Sequence, residues 1–200
     1  MCVSITSNNL YLLFFYSIQN LPVAEEIPFE LLHLELVGQI LEKTDAEERE
    51  KALANLELIG FNAGYRLIEK LTKESPKFKD ELDLMKFICK DFWMSVFRKQ
   101  IDNLRTNHQV RHKRGNTVFH LKHLMKISFQ GVYVLQDNHF KFLSKVSESK
   151  QYLESSSKFV IFSCGLVRGS LSNLGVNSIV TAEISGQLPS VKFQVQVQRS

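Results

Sequence analysis

Between Ser75 and His108 the spacing of apolar residues changes from helical to strand-like, and that change constrains the fold more than any other feature of the chain. In SPKFKDELDLMKFICKDFWMSVFRKQIDNLRTNH, Phe78, Leu82, Met85, Cys89, Phe92 and Val96 recur at steps of four and three, one face of an α-helix. Trp93 and Phe97 widen the face, while Lys79, Asp83, Lys86, Lys90 and Lys99 lie mostly off it. Ser75 followed by Pro76 reads as the start of this helix: the hydroxyl accepts from an orphan N–H, and proline lacks a donor where none is needed. Past Gln100 the pattern turns strand-like over Ile101–His108. A core helix feeding directly into a strand points to a mixed fold. The one reactive group in the helical stripe, Cys89, has apolar neighbours that raise its pKa.

Upstream, a first helix is expected over Pro28–Lys43, with Phe29, Leu32, Leu36 and Ile40 in line and Leu31, Leu34 and Val37 broadening the stripe. An apolar arc this wide on a short helix implies two contacts, one within the domain and one with a neighbouring protein. Thr44 or Asp45 caps a second helix, with Glu47 and Glu48 near the positive end of its dipole. That helix carries Leu53, Leu56, Ile59 or Gly60, Ala63, Leu67, Ile68 and Leu71. Gly60 and Gly64 each cost up to ~1 kcal/mol relative to alanine in a helix, which close approach of another helix backbone would offset.

Downstream, Gly131–Gln136 reads as a strand and Asp137-Asn138 as a turn, with His139–Leu143 pairing back. Glu148–Leu174 reads as a helix with a second small-residue pair, Gly165 and Gly169, and Gly175 terminates it. Val191, Phe193, Val195 and Val197 alternate with Lys192, Gln194, Gln196 and Gln198, a strand with one wet face, and Ile179–Ile184 precedes it as the other arm of an antiparallel hairpin. Together these predict an α+β fold, an α/β-plait of N-terminal helices and one further helix packed on an antiparallel sheet of about four strands.

Two hundred residues suit one domain with extensions, and 44% hydrophobic content suffices for a large core. Three scattered cysteines, Cys2, Cys89 and Cys164, argue against a disulfide scaffold. Of the net charge of +4, Arg105, Arg111, Lys113, Arg114, Lys122 and Lys126 contribute +6, so the remainder sums to 4 − 6 = −2. A slightly acidic body is unlike a nucleic-acid binder, which spreads basic residues over a docking face. The basic segment itself is suited to anionic lipid or phosphate. Residues 1–27 form an atypical extension whose apolar run, Leu10–Tyr16 with Ile18, is shorter than the ~18 residues of a transmembrane helix. It is preceded by no basic residue and followed by no cleavage site, which argues against a signal peptide. Residues 28–200 then form a single domain with an atypical insert at 110–130.

Catalytic and cofactor chemistry find no support. His108, His112, His120 and His123 cluster, but without a cysteine or carboxylate and amid positive charge no metal site is expected. There is no nucleophile elbow, P-loop lysine or H-E-x-x-H. Arg168, between Gly165 and Gly169, is suited to a surface or helix-end role or to a ligand contact.

Three blocks resemble a known family: IGFNAGYRLIEKLTKESPKFKDELDLMKFICKDFW (59–93); RKQIDNLRTNHQ (98–109) joined to GVYVLQDN (131–138); and QYLESSSKFVIFSCGLVRGSLSNLGVNSIVTAEISGQLPSVKFQVQVQ (151–198). They are similar to the small subunits of the transport protein particle (TRAPP) complex, most closely its subunit 6 branch. The family pattern G-F-x-x-G-x-R-L-I-E falls on Gly60, Phe61, Gly64, Arg66, Leu67, Ile68 and Glu69. Its G-L-x-R-G-x-L-x-x-L-G pattern falls on Gly165, Leu166, Arg168, Gly169, Leu171, Leu174 and Gly175. The resemblance implies a non-catalytic subunit, without cofactor or metal, that heterodimerises with a related small subunit through its first two helices. The interface it implies uses Phe29, Leu32, Leu36, Ile40, Leu53, Leu56, Phe61, Gly64, Tyr65 and Ile68. It further implies a vesicle-tethering complex in endoplasmic reticulum-to-Golgi transport that activates a Rab-type GTPase, so the GTPase is an indirect partner and membrane association is peripheral, through the complex. A related subunit carries an acylated cysteine where this chain has Phe78, so no acylation is expected there. The alternative from the residues is a domain that holds an acyl chain between helices and sheet. The family joins Gln109 directly to Gly131, so residues 110–130 are either a variant splice form, translated non-coding sequence or a regulatory insert.

Overall fold

Helix α1 (Glu26–Leu41) turns His33, Val37 and Ile40 into the core, one residue round from the expected stripe. The computed structural model describes residues 26–43, 45–73, 77–110, 129–146, 155–184 and 188–198. The apolar run at Leu10–Tyr16, the cap candidates Thr44 and Ser75, and His112, His120 and His123 lie outside the described residues. So do the basic residues between 111 and 126.

The rotation of α1 follows from His33, which is 3% exposed. Its Nε2–H donates to the Phe159 carbonyl at 2.9 Å and its ring stacks on Phe142 with centroids 3.9 Å apart. A satisfied, stacked imidazole fills a core position that a hydrophobicity count assigns to leucine. Burial outweighs the hydrogen bond to Phe159 and pushes the imidazole down to about 4 from 6.5. The folded chain thus keeps His33 neutral where the unfolded chain protonates it. Stability is full above about pH 6.5 and declines as pH falls towards 4, by about 1.4 kcal/mol per unit. Urea titrations at pH 7 and pH 5 should therefore differ by about 2 kcal/mol. His33→Leu should lose most of that difference, and an undiminished pH dependence in the variant would remove His33 as its source.

Helix α2 (Ala46–Thr72) starts where the Asp45 carboxylate accepts from Glu47 N at 3.0 Å. It buries Leu53, Leu56, Gly60, Ala63, Gly64, Leu67 and Ile68 along one face. The next helix is capped by Asp80, whose Oδ1 accepts from Asp83 N at 2.7 Å, so it begins at Glu81 rather than after Pro76. It runs as α3 (Glu81–Phe87), a π-helical turn (Ile88–Phe92) and α4 (Trp93–Phe97). The π turn rephases the helix: the Trp93 N–H bonds to the carbonyl of Ile88, five residues back. Leu84, Ile88, Trp93 and Phe97 therefore all face inward at steps of four, five and four, while Leu82 and Val96, expected in the stripe, are half-buried. The Cys89 carbonyl accepts from Ile101 N at 2.9 Å, tying the π turn to the chain that enters the sheet. The reversal between them passes through Arg98 at φ +56°.

Four antiparallel strands follow in the order β1-β2-β4-β3: β1 (Asn103–Val110), β2 (Phe129–Asp137), β3 (Ser178–Glu183) and β4 (Val191–Val197). Leu104 pairs with Leu135, Leu135 with Phe193, and Ala182 with Phe193, so the expected α+β architecture and C-terminal hairpin are present. The β1–β2 ladder continues to Val110 and Phe129. The expected return strand at His139–Leu143 is instead a turn and a short 3-10 helix (Lys141–Leu143). Phe140, Phe142 and Leu143 are all buried, a pattern that strand alternation cannot satisfy. The expected helix at Glu148–Leu174 is described from residue 155 on, as a 3-10 turn (Ser156–Val160) leading into α5 (Ile161–Asn173). Gly175, at φ +80°, ends α5, with Val176 N bonded to Leu171 O at 2.9 Å and Gly175 N to Ser172 O at 3.1 Å. Helix α5 is buried on nearly every side, between α2 and the sheet.

Candidate functional site

Among the described residues His33, Cys89 and Cys164 are buried in the packing, and the outward faces of the first two helices are the candidate site. At the centre, the glycines of α2 and α5 interlock. A Cβ on Gly60 or Gly64 would run into the backbone of Phe162 or Leu166, and one on Gly165 or Gly169 into that of Glu57 or Phe61. The expected close approach of a second helix is therefore α5 of the same chain. The Ser170 hydroxyl reinforces the crossing, donating to Leu166 O at 2.8 Å and lying 3.3 Å from Gly64 O.

This crossing divides the residues grouped as an interface. Ile40, Leu53, Leu56, Gly64 and Ile68 are buried within the chain's own core. Leu36 and Phe61 are half-buried, and Phe29 lies in the first turn of α1. Leu32 and Tyr65 face outward, 43% and 42% exposed, and two residues outside that group, Leu31 and Leu58, are each 51% exposed. Arg66 and Glu69 are also exposed. Sequence spacing missed Leu58 because it sits one position off the α2 stripe, beside Glu57.

Arg168 is held between two partners. Its Nε and Nη2 donate to Glu57 Oε1 at 3.1 and 3.0 Å, and its guanidinium lies 4.6 Å over the Phe61 ring. Phe61 in turn packs on Tyr65 at 6.2 Å between centroids. Arg168, expected at the surface or a helix end, lies half-buried midway along α5 as a fixed cation at the edge of an aromatic patch.

A second polar cluster, unseen in the sequence, joins the end of α4 to the end of β2. Asp137 is completely buried, accepts from Trp93 Nε1 at 2.9 Å and from His139 N at 3.0 Å, and pairs with Lys99. Lys99 also reaches Asp102 at 3.2 Å, and Asp102 accepts from Asn138 N at 2.7 Å. Burial alone pulls the Lys99 ammonium down, but Asp137 and Asp102 outweigh it and hold it above its ordinary value. Both Asp137 oxygens and the Trp93 indole N–H are satisfied within the cluster, which is the arrangement of a structural clasp.

Both described thiols are inert by position. Burial pushes Cys89 up to about 12, and burial with the nearby Glu57 carboxylate does the same for Cys164. Phe78 is half-buried against Phe87, with centroids 5.2 Å apart, and offers no nucleophile. Between α4 and the sheet, Trp93, Phe97, Phe140 and Phe193 pack with centroids 4.5 to 6.1 Å apart. Among the described residues no cluster of His, Cys, Asp or Glu is placed to hold a metal, and no helix is long and apolar enough to cross a membrane.

The fold defines a class: an α+β domain in which a glycine-locked helix pair packs on a four-stranded antiparallel sheet, with apolar side chains left outward on its first two helices. The profile of the Transport protein particle (TRAPP) component family matches residues 29–198, and the chain belongs to that family. It is 51% identical over 178 residues to trafficking protein particle complex subunit 6b of Danio rerio, covering 88% of this chain and 99% of that protein. It is 50% identical to human subunit 6B, with the same coverage, and 40% identical to human subunit 6A over 89% of this chain and all of that protein. A crystal structure of subunit 3 from Naegleria fowleri, covalently bound to palmitic acid, shares the fold with a TM-score of 0.53 at 17% identity, covering 87% of this chain and 97% of that one. Within that family it falls with the subunit 6 branch.

Proposed function

We propose that this chain is a non-catalytic structural subunit that heterodimerises with a related small subunit through the outward faces of α1 and α2. The observation that carries the reading is the exposure of Leu31, Leu32, Leu58 and Tyr65 on two helices whose opposite faces are already committed to the chain's own core. Large apolar and aromatic side chains with a fixed arginine nearby are the composition of an interface anchor. We read residues 28–200 as one domain, with residues 110–130 as an insert. In the assembled particle the subunit would support vesicle tethering and Rab GTPase nucleotide exchange in endoplasmic reticulum-to-Golgi transport, residing in the cytoplasm and peripherally at those membranes.

Mixing the chain with a related small subunit should give a stable 1:1 complex by size-exclusion chromatography with light scattering. Leu58→Asp with Tyr65→Asp should weaken that association at least about 30-fold, because a buried charge replaces two anchors. Both positions are exposed in the single chain, so the variant's own thermal midpoint should hold. No association at micromolar concentration would refute the reading.

A further inference from the structure

A groove between α3 and the chain that enters it is lined by residues that this assembly role does not use. The segment Lys77–Asp80 runs alongside α3, where Lys79 N donates to Asp83 Oδ2 at 3.3 Å and Asp83 N donates to Asp80 Oδ1 at 2.7 Å. These two bonds hold Lys77 and Lys79 as one wall, facing Lys86 and Lys90 on the helix. Phe78 and Phe87, packed edge to face, lie half-buried between the walls. The open trough they form has a volume of about 450 Å³, within the size range of a ligand pocket.

The charge balance of this groove is uneven. Its four lysines are exposed, and among the described residues none has a carboxylate within ion-pair distance. Two carboxylates, Asp83 and Asp91, also line it, so the lining sums to 4 − 2 = +2, with Asp83 turned to the Lys79 backbone N–H. Lys86 and Lys90 stand one turn apart, a like-charge pair that mildly destabilises its own helix until an anion arrives.

We propose that this groove docks an acidic segment of a partner protein, with carboxylates on Lys77, Lys79, Lys86 and Lys90 and one apolar side chain seated on Phe78 and Phe87. The shape decides against a membrane surface. A bilayer is flat on this scale and would meet only the lysine rims, leaving the aromatic floor wet, whereas a peptide can place a side chain into the trough. The aromatic floor likewise offers nothing to free phosphate.

The test is fluorescence anisotropy of the full chain with a fluorescein-labelled peptide, EEDLFEEE, beside its sign-reversed counterpart KKRLFKKK. The acidic peptide should bind and the basic one should not, and affinity should fall several-fold between about 50 and about 200 mM salt. Lys86→Glu with Lys90→Glu should weaken binding at least about tenfold with an unchanged thermal midpoint, since both side chains are exposed. Co-sedimentation with phosphatidylserine vesicles supplies the competing arm. Absence of peptide binding, binding unaffected by the two substitutions, equal binding of the basic peptide, or lysine-dependent vesicle binding without peptide binding would each overturn the proposal. Because the groove lies on α3 and not on α1 or α2, none of these results depends on heterodimer formation.

Discussion

Gly169→Ala should lower the stability of this protein by about 3 kcal/mol, against an ordinary cost of 1–3 kcal/mol for overpacking a core. The estimate sits at the upper end because the new methyl group would meet the backbone of Phe61 and not the end of a flexible side chain. Relief requires moving α2 away from α5, and α5 is held on its other side by the sheet. Thermal unfolding should shift down by about 10 °C for a chain of this length. Gly64→Ala meets the backbone of Leu166 from the opposite helix and should cost a similar amount. The double variant should cost less than the sum, because a separation forced by one methyl makes room for the other. Gly38→Ala is the internal control. Nothing lies within 4 Å of a Cβ there, so alanine should stabilise α1 by up to about 1 kcal/mol through helix propensity alone. Equal effects at Gly38 and Gly169 would show that the glycines of the α2–α5 crossing are not read by contact.

Much of this architecture is visible in the residues because it rests on periodicity. The alternation from Val191 to Val197 needs no partner to identify a strand with one wet face, and the paired glycines of α2 and α5 signal a close crossing before it is seen. Which helices cross is a different matter: Gly60 and Gly64 look the same whether the approaching backbone belongs to the chain or to another protein. Gly64, Leu53, Leu56 and Ile68, which the resemblance implies for an external interface, are buried in the chain's own core, Gly64 against the α5 backbone. The π turn at Ile88–Phe92 is invisible for a related reason. It inserts a step of five into a helix, and the apolar residues on both sides allow a regular 3.6-residue stripe to be drawn straight through it. His33 was hidden by hydropathy, since its place in the core depends on one carbonyl, that of Phe159, 126 residues away.

Asp137 makes the same point with a larger energetic consequence. Within the sequence it is the first residue of an Asp-Asn turn, which ordinarily places its carboxylate in water. In the fold it is fully buried beneath Trp93 and Lys99. Asp137→Ala should destabilise the protein by about 3 kcal/mol, since it orphans the Trp93 indole N–H in the core and removes one of the two carboxylates of Lys99. The loss stays near the lower end for a broken buried pair because Lys99 keeps Asp102 and some contact with solvent. Lys99→Met should cost less than Asp137→Ala, as Asp137 retains the Trp93 and His139 N–H donors. If the clasp acts as a unit, the double variant should be less destabilised than the two single losses added, with a coupling of about 1–2 kcal/mol. The pH dependence has a defined sign: the folded-state pKa of Lys99 is raised, so its contribution is complete below about 10.5 and disappears as pH rises through the folded value. Denaturant midpoints of the four proteins at pH 7 and in alkali measure both terms. Additive losses that do not change with pH would leave Asp137 as a packing residue and dissolve the clasp into independent contacts.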